Sequence, residues 1–187
     1  MLLCIIVVNP LRYVKLDLIE YVVYESSMGN ICLVAKNGRL IALEMKGEDE
    51  YKLIRSLTLR YPESLRTERP FKKVRLLLDR YLRGQKVDFD IPVDVSAETR
   101  FTQKVLRVLQ GIPYGEARSY LWVGRQIGYT MAARAIGQAV KRNPIPIIIP
   151  CHRVIREDGS IGGFSQGVNI KRRLLAIEKV ELPRLHR

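Results

Sequence analysis

Three adjacent residues in the C-terminal half, Cys151, His152 and Arg153, carry side chains that can perform nucleophilic chemistry. A cysteine reacts as the thiolate, and neighbouring cationic groups lower the pKa of a thiol. A histidine that takes up the thiol proton must itself be held by a carboxylate or an amide, and Glu178 and Asn143 are the candidates. Spacing alone is weak evidence for such a pair, and it favours the alternative, a buried structural cysteine beside a surface histidine.

The segment that leads to this cysteine is stiff. Pro144, Pro146 and Pro150 each fix one backbone φ angle, and the residues between them are mostly isoleucine. We therefore expect Cys151 to lie at a fixed place where an apolar strand or loop ends.

Two short helical patterns precede this segment, at residues 121–127 and 131–141, and Gly128 separates them. Ser119 is the expected cap of the first helix and Thr130 of the second. The unit predicts a helix-turn-helix. The second helix is rich in alanine, so that its backbone can approach a bulky partner such as a nucleic-acid groove. Close packing against another helix is the alternative.

The remaining pattern predicts two domains of different class. Residues 21–24, 30–35 and 39–45 are rich in Val, Ile, Leu and Tyr and are separated by the turn signals Met28-Gly29 and Asn37-Gly38, so strands are expected there. Helices are expected at 48–61 and 71–82. Residues 86–95 fit a connection, after which helices are expected at 101–109 and 171–178. We predict an α/β N-terminal domain with a small antiparallel sheet, residues 1–93, and a mostly α domain with the helix-turn-helix, residues 94–187.

Charge and cysteine content narrow the function. The net charge is +13, and residues 94–187 hold 16 basic against 7 acidic residues, a local charge of +9. This favours an anionic partner, either nucleic acid or an acidic membrane surface. Three cysteines without C-x-x-C spacing predict neither disulfides nor a metal site, and a reducing cytoplasm suits them. The apolar run at residues 2–8 is too short to span a bilayer and predicts a buried strand.

Six segments, in this order and at these gaps, resemble one protein family over residues 99 to about 182. They are Ile112-Pro113-Tyr114-Gly115-Glu116, Ser119-Tyr120, Ala132-Ala133-Arg134-Ala135-Ile136-Gly137, Asn143-Pro144-Ile145-Pro146, Pro150-Cys151-His152-Arg153-Val154-Ile155 and Gly162-Gly163-Phe164-Ser165. The family is that of the O6-alkylguanine-DNA alkyltransferases, which repair DNA directly. Residues 1–93 resemble its variable N-terminal domain in architecture alone.

The resemblance implies how DNA is bound. Members dock the helix-turn-helix in the minor groove of double-stranded DNA and rotate the damaged guanosine out of the stack. Arg134 would be the side chain inserted into the duplex, and Tyr120 would crowd the phosphate that turns. Ala133 and Gly137 would let the helix come close. The protein is expected to act as a monomer, and no membrane partner is expected. Cooperative assembly on DNA is left open.

The resemblance also assigns the acceptor. Cys151 would take the alkyl group in one irreversible step, activated through a water by His152, which Glu178 would orient. Asn143 would hold the turn that presents the cysteine. Because the thioether is not regenerated, one molecule would repair one lesion.

The guanine itself would be held by a second set of groups. The main-chain carbonyls of Cys151 and Val154 would accept from its exocyclic amine, while Tyr120 and Ser165 would donate to N3 and O6. No cofactor or metal is implied. O4-alkylthymine is left open as a second substrate.

Two features depart from the family pattern or stand outside it. Gln166 occupies a position where many members have glycine; its side chain either narrows the pocket or points into solvent, and we expect the second. Lys171, Arg172 and Arg173 are expected to form a solvated basic helix face and, secondarily, a phosphate contact.

Other functions compete with this hypothesis. Alkyltransferase-like proteins bind alkylated guanine without repairing it, but they replace the cysteine that this chain keeps. A regulator that senses alkylation would need a further DNA-binding domain. A thiol protease would need a separated histidine, and His186 is poorly placed for that part.

Overall fold

The computed structural model describes residues 17–45 and 49–181, so the strand predicted at residues 2–8 lies outside the described residues. The N-terminal half contains a four-stranded sheet made of β1 (Ile19–Ser26), β2 (Gly29–Lys36), β3 (Arg39–Glu44) and β4 (Leu65–Arg66). The order of the strands in the sheet is β3-β2-β1-β4. The predicted antiparallel meander is confirmed for β1 to β3, and the short β4, parallel to β1, makes the sheet mixed.

The turn between β2 and β3 explains the tight pairing of these strands. Asn37 and Gly38 both have positive φ angles, +50° and +76°, as a two-residue turn of the mirror-image type requires. Lys36 and Arg39 are therefore directly paired at the turn.

Each face of this sheet is covered by one helix. Helix α1 (Glu50–Arg60), capped by Asp49, packs Leu53 and Leu57 on one face, and α2 (Lys72–Leu82) packs Val74 and Leu78 on the other. Because successive strand residues point to opposite faces, a strand covered on both sides is apolar throughout. This accounts for the uninterrupted apolar run in the middle of β1.

The C-terminal half is mostly helical, as predicted. Its elements are α3 (Arg100–Gln110), β5 (Arg118–Ser119), α4 (Tyr120–Gln126), α5 (Ala133–Lys141), β6 (Val154–Ile155) and α6 (Val168–Ile177), with β5 and β6 paired in parallel. The Ser119 side chain caps α4 by accepting a hydrogen bond from the N–H of Trp122, as expected. Among the described residues, no helix is long and apolar enough to cross a membrane.

The predicted cap of α5 is wrong. The helix begins at Ala133, and Ala132 precedes it without a side-chain cap, so Thr130 lies within the preceding turn. The N–H of Tyr129 bonds back to the carbonyl of Gly124 at 2.9 Å, which keeps the chain folded against α4 for longer than the sequence pattern suggests.

The two halves share one hydrophobic core. Buried residues of the sheet, α2, α3, α5 and α6 belong to a single cluster. Residues 86–95 contain no helix and run beside β3, where Leu40 donates to Pro92 and accepts from Asp94, both at 2.8 Å. The N–H of Leu43 also bonds to the carbonyl of Pro144 at 2.8 Å. The sheet is thus attached directly to the segment that leads to Cys151.

Candidate active site

The segment between α5 and Cys151 holds its shape under strain. Ile147, 1% exposed, has a φ of +73°, a left-handed conformation that a β-branched residue adopts only when its surroundings impose it. The N–H of Ile149 bonds to the carbonyl of Ile145 at 2.9 Å, closing a compact turn around the strained residue. The turn delivers Cys151 to the start of a short 3-10 helix, Cys151–Arg153.

Asn143 connects this turn to the thiol. Its side-chain amide donates to the carbonyl of Ile149 at 2.7 Å and to Sγ of Cys151 at 2.9 Å, and its oxygen accepts from the N–H of Ile145 at 3.1 Å. One buried side chain thus fixes both the backbone of the loop and the sulfur. Of the two candidates for holding His152, Asn143 therefore holds the cysteine instead.

Cys151 is buried, and its environment acts on the thiol in opposite directions. Burial raises the pKa of Cys151 to about 11, although the Asn143 amide, the Lys171 ammonium and nearby backbone N–H groups lower it in part. The expectation that adjacent cationic side chains would lower the pKa of the thiol is wrong, because burial outweighs the opposing groups and the cation among these is the distant Lys171. The thiol therefore needs a base when it reacts.

His152 is completely buried and is held by Glu178. Its Nε2 lies 2.7 Å from Oε1 of Glu178, while Nδ1 makes no hydrogen bond to any described residue. Burial lowers the pKa of His152; Glu178 opposes this effect, and Arg153 and Lys171 add to it. The surface histidine of the alternative interpretation is excluded, and the arrangement leaves a neutral imidazole with one unpartnered ring nitrogen.

Glu178, the residue that ends α6, gathers more partners than the sequence indicates. Arg153 donates to both carboxylate oxygens, at 2.8 and 2.9 Å, and the N–H of Gly115 donates to Oε2 at 3.1 Å. The Tyr81 hydroxyl donates to Oε1 at 2.6 Å. Burial would raise the pKa of Glu178, but the hydrogen bonds from His152, Arg153 and Tyr81 lower it to about 2. The carboxylate is therefore ionised.

Lys171 is not part of a solvated face, so that expectation is wrong. The side chain is 0% exposed, and its ammonium donates to the carbonyls of Val154 and Gly163. Burial lowers the pKa of Lys171 to about 8. A buried cation needs such acceptors, and these two connect β6 to residues 162–165, the glycine loop. Arg172 and Arg173 are exposed, as expected.

A cavity of about 260 Å³ separates the helix-turn-helix from the glycine loop. Its lining residues are Tyr120, Gly137, Val140, Lys141, Gly163, Phe164 and Ser165. Burial and the Cys151 thiol raise the pKa of Tyr120. A Cβ on Gly162, whose φ is +67°, would lie 3.3 Å from the Tyr120 hydroxyl. The glycine thus lets the loop close over this tyrosine.

The side chain of Gln166 points towards the protein and not into solvent, so the expectation of a solvent-facing Gln166 is wrong. Its Oε1 accepts from the N–H of Met45 at 3.0 Å, just beyond the end of β3. A partly buried backbone N–H outside the strand ladder requires an acceptor, and Gln166 supplies it. Gln166 also lines a larger cavity, about 540 Å³, between β3 and the residues that follow α5.

Helix α5, the second helix of the helix-turn-helix, has one exposed face and one buried face. Ala133 and Arg134 are exposed, whereas Ile136, Ala139 and Val140 pack into the core. Gly137 lies over Tyr120, since a Cβ there would be 3.9 Å from its ring. Both interpretations of the alanine-rich helix therefore hold in part. Some of its small residues pack within the protein, and others leave the first turn of α5 accessible to a partner.

The comparison with known families matches nearly all of the described chain. Residues 19–95 match the model of the 6-O-methylguanine DNA methyltransferase, ribonuclease-like domain, and residues 100–180 match its DNA binding domain. A methylated-DNA--protein-cysteine methyltransferase from Mycolicibacterium paratuberculosis is 37% identical over 89% of this chain and 96% of its own. The chain belongs to the 6-O-methylguanine DNA methyltransferase family. The resemblance predicted from the six segments is confirmed.

Other relatives agree with this family. A protein of the same name from Mycobacterium bovis is 47% identical over 106 residues, which are 57% of this chain and 64% of that protein. The chain thus spans just under two thirds of that relative in the alignment. The crystal structure of Mycobacterium tuberculosis OGT in complex with DNA superposes with a TM-score of 0.74, at 35% identity, over 86% of this chain and 92% of the other.

The structure brings together most of the residues named from the sequence and adds some that the sequence analysis missed. Cys151, His152, Asn143 and Glu178 form one buried group, whereas Arg134 lies on the exposed side of α5. Tyr81, Gly115 and Lys171 were not predicted to belong to the buried group. A signal existed for Tyr81, because a tyrosine within the apolar stripe of α2 must find a partner for its hydroxyl. Within residues 17–45 and 49–181 no cluster of three or more His, Cys, Asp or Glu could hold a metal.

Proposed function

We propose that this protein repairs DNA by moving the alkyl group of O6-alkylguanine to Sγ of Cys151. The observation that carries the proposal is the state of His152: its Nε2 is held by an ionised carboxylate, and its buried Nδ1 has no partner among the described residues. Such an imidazole is prepared to accept a proton, and the adjacent thiol needs to lose one. The family membership of the chain supports the same reaction.

The proposed step balances in atoms and charge. The thiol proton of Cys151 passes through a bridging water to Nδ1 of His152, and the sulfur forms a bond to the alkyl carbon. The bond between that carbon and O6 breaks, and its electron pair remains on the guanine. The guanine anion then takes up one proton from water, and His152 gives the proton that it received back to water, so both groups end neutral. The thioether has no route back to a thiol, so each molecule acts once, without a cofactor.

The cavity beside Tyr120 is the proposed place of the guanine. Tyr120 and Ser165 both line it and would donate hydrogen bonds to N3 and O6, where negative charge develops. The carbonyls of Cys151 and Val154 would accept from the exocyclic amine. The Val154 carbonyl already accepts from Lys171, so it would use its second lone pair for the base.

The DNA surface follows from the exposed part of α5. We propose that this helix enters the minor groove, that Ala133 and Gly137 permit the approach, and that Arg134 fills the space left by the rotated nucleotide. The charge of +9 on residues 94–187 supports phosphate contacts. We propose that the protein binds DNA as a monomer and that residues 1–93 and 94–187 form its two domains. Its proposed compartment is the cytoplasm, where a free thiol persists.

Intact-mass measurement after incubation with a duplex containing O6-methylguanine tests the proposal. We expect one methyl group on the wild-type protein and none on Cys151→Ala. Cys32→Ala is the matched control, because Cys32 is equally buried, 2% exposed, and burial raises the pKa of Cys32 to about 11 as well. The control should still be methylated. Methyl transfer that survives in Cys151→Ala would rule out the assigned acceptor.

A further inference from the structure

Among the described residues, Tyr81 is the one member of the hydrogen-bonded group around Glu178 that comes from the N-terminal sheet-and-helix half. It lies near the end of α2, is 0% exposed, and reaches the group from across the shared core. Its hydroxyl is 2.6 Å from Oε1 of Glu178 and 3.2 Å from Nε2 of His152. The hydroxyl therefore contacts both the histidine and the carboxylate that holds it.

The protonation states of these groups determine the direction of each hydrogen bond. Burial and the Glu178 carboxylate raise the pKa of Tyr81 well above its usual range, so the hydroxyl keeps its single proton. Glu178 is ionised and can only accept, so the Tyr81 proton lies towards Oε1. Towards Nε2 of His152 the Tyr81 oxygen can then only accept. Both neighbours of Nε2 are acceptors, and Nε2 must carry the imidazole proton.

We propose that Tyr81 is a positioning residue of the alkyl-transfer reaction, holding His152 in the Nε2–H tautomer and sharing the negative charge of Glu178. This inference rests on the proposed function, since it concerns how His152 comes to accept the proton of Cys151. With the proton fixed on Nε2, the lone pair of Nδ1 is the basic site. A histidine in the other tautomer would present a proton where it must receive one.

The charge-sharing part concerns the proton affinity of His152. The charged and titratable groups packed around the ring and its carboxylate are Glu178, Tyr81, Tyr114, Arg153, Lys171 and Cys151. The carboxylate favours the imidazolium, whereas Arg153 and Lys171 disfavour it. A hydroxyl that donates a hydrogen bond to the carboxylate reduces the negative charge that acts on the imidazole, and so lowers the proton affinity of His152. Without the hydroxyl, more of the negative charge acts on His152, and the imidazole protonates at higher pH.

The chain offers a matched pair of variants to test this. Tyr81→Phe removes the hydroxyl and keeps the ring. Tyr114→Phe removes a second hydroxyl nearby: the two rings meet edge to face at 6.1 Å, but the Tyr114 hydroxyl donates to the backbone carbonyls of Ile177 and Gly84. Both variants lose a hydroxyl at the contact between the halves, but only Tyr81→Phe removes one that lies within hydrogen-bond distance of Glu178 and His152.

The first measurement is the single-turnover rate of methyl transfer from an O6-methylguanine duplex as a function of pH. We expect Tyr81→Phe to be slower by about tenfold near neutral pH, the effect of one hydrogen bond to a charged group. The acidic limb of the profile should move to higher pH. Tyr114→Phe should keep the wild-type rate and limb. An unchanged acidic limb in Tyr81→Phe, or the same shift in both variants, would overturn the proposal.

The second measurement does not depend on alkyl transfer. The chain has only two histidines, His152 and His186, so nitrogen-15 NMR of labelled histidine can assign the tautomer and its titration directly. We expect the Nε2–H form in the wild type and a raised imidazole pKa in Tyr81→Phe. An Nδ1–H tautomer in the wild-type protein would overturn the inference. If Cys151 acquired no methyl group but NMR gave the expected result, the proposed function would fail while the role of Tyr81 in setting the tautomer would stand.

Discussion

The side-chain oxygen of Gln166 accepts a hydrogen bond from the backbone N–H of Met45 at 3.0 Å, across 121 residues of sequence. This bond ties the loop that carries Ser165 to the end of the N-terminal sheet. The wall of the candidate guanine cavity is therefore held partly by the N-terminal half of the chain, which does not contain the cysteine. Two further contacts join the N-terminal half to other parts of the active site: Leu43 bonds to Pro144, in the segment before Cys151, and Tyr81 bonds to Glu178.

Replacing Gln166 tests this contact. Gln166→Met keeps the length of the side chain but leaves the N–H of Met45 without its acceptor, and we expect a loss of about 1–2 kcal/mol in the free energy of unfolding. Urea denaturation measures the change. Gln126→Met, at an exposed position on α4, is the control and should be close to neutral. Equal effects at both positions would mean that the contact with Met45 does not stabilise the fold.

Arg134 is expected to matter for DNA and not for the chemistry. In Arg134→Ala the rotated nucleotide loses its substitute in the stack, so transfer from a duplex should slow by roughly tenfold or more, since unstacking costs a few kcal/mol. Reaction with free O6-benzylguanine should be unchanged. Arg55→Ala, an exposed arginine of α1, controls for the loss of one positive charge. A similar loss on the duplex and on the free base would indicate a structural role for Arg134.

Gly124 in α4 is required by a close contact and not by backbone conformation. A Cβ at this position would lie 2.5 Å from the carbonyl oxygen of Tyr129, in the turn of the helix-turn-helix. Helix propensity favours alanine over glycine by about 1 kcal/mol, yet we expect Gly124→Ala to destabilise the protein by about 1–3 kcal/mol and to weaken DNA binding. Chemical denaturation and a DNA titration test this.

The control for Gly124 is Gly111→Ala. There the Cβ would make an ordinary contact at 3.4 Å with the carbonyl oxygen of Val108. If Gly124→Ala were as stable as Gly111→Ala and bound DNA equally well, the turn would have room that the structure does not show.

The lowered pKa of Glu178 should make the free energy of unfolding depend on pH in the acidic range. The pKa of Glu178 is lowered to about 2 in the folded protein, from 4.5 in the unfolded chain. Its contribution to the free energy of unfolding is therefore complete above about pH 4.5 and is lost as the pH falls towards 2. We expect it to amount to about 3 kcal/mol. In Glu178→Gln this part of the pH dependence should disappear, and stability at neutral pH should fall because Arg153 remains buried without a counter-charge.

The comparison is the unfolding free energy of each variant measured between pH 2 and 7. Glu63→Gln, at an exposed position, should keep the wild-type pH dependence. A Glu178→Gln variant with the same acid sensitivity as the wild type would assign that sensitivity to other carboxylates.

The sequence by itself determined the local elements and the family. Turn residues such as Asn37-Gly38, the cap at Ser119 and the apolar periodicities depend on interactions between residues close in the chain, so they can be recognised without the fold. The six segments identified the family because their order and gaps are properties of the sequence. Thr130 shows the limit even at short range, since a bond from Tyr129 back to Gly124 delays the start of α5.

Only the tertiary structure decided the electrostatics of the site. The sequence placed Lys171 on a solvated helix face and Gln166 in solvent, because a polar residue with no visible partner is expected to be exposed. Both found partners that are distant in sequence: Lys171 in β6 and the glycine loop, Gln166 at the end of β3.

Tyr81 shows the same limit at the reactive group. The energy of a buried polar group depends on which acceptors and donors surround it, and 97 residues separate Tyr81 from Glu178. The pattern of α2 could indicate that the tyrosine is buried, but only the packing of α2 against the end of α6 shows that its hydroxyl meets His152 and the carboxylate that holds it.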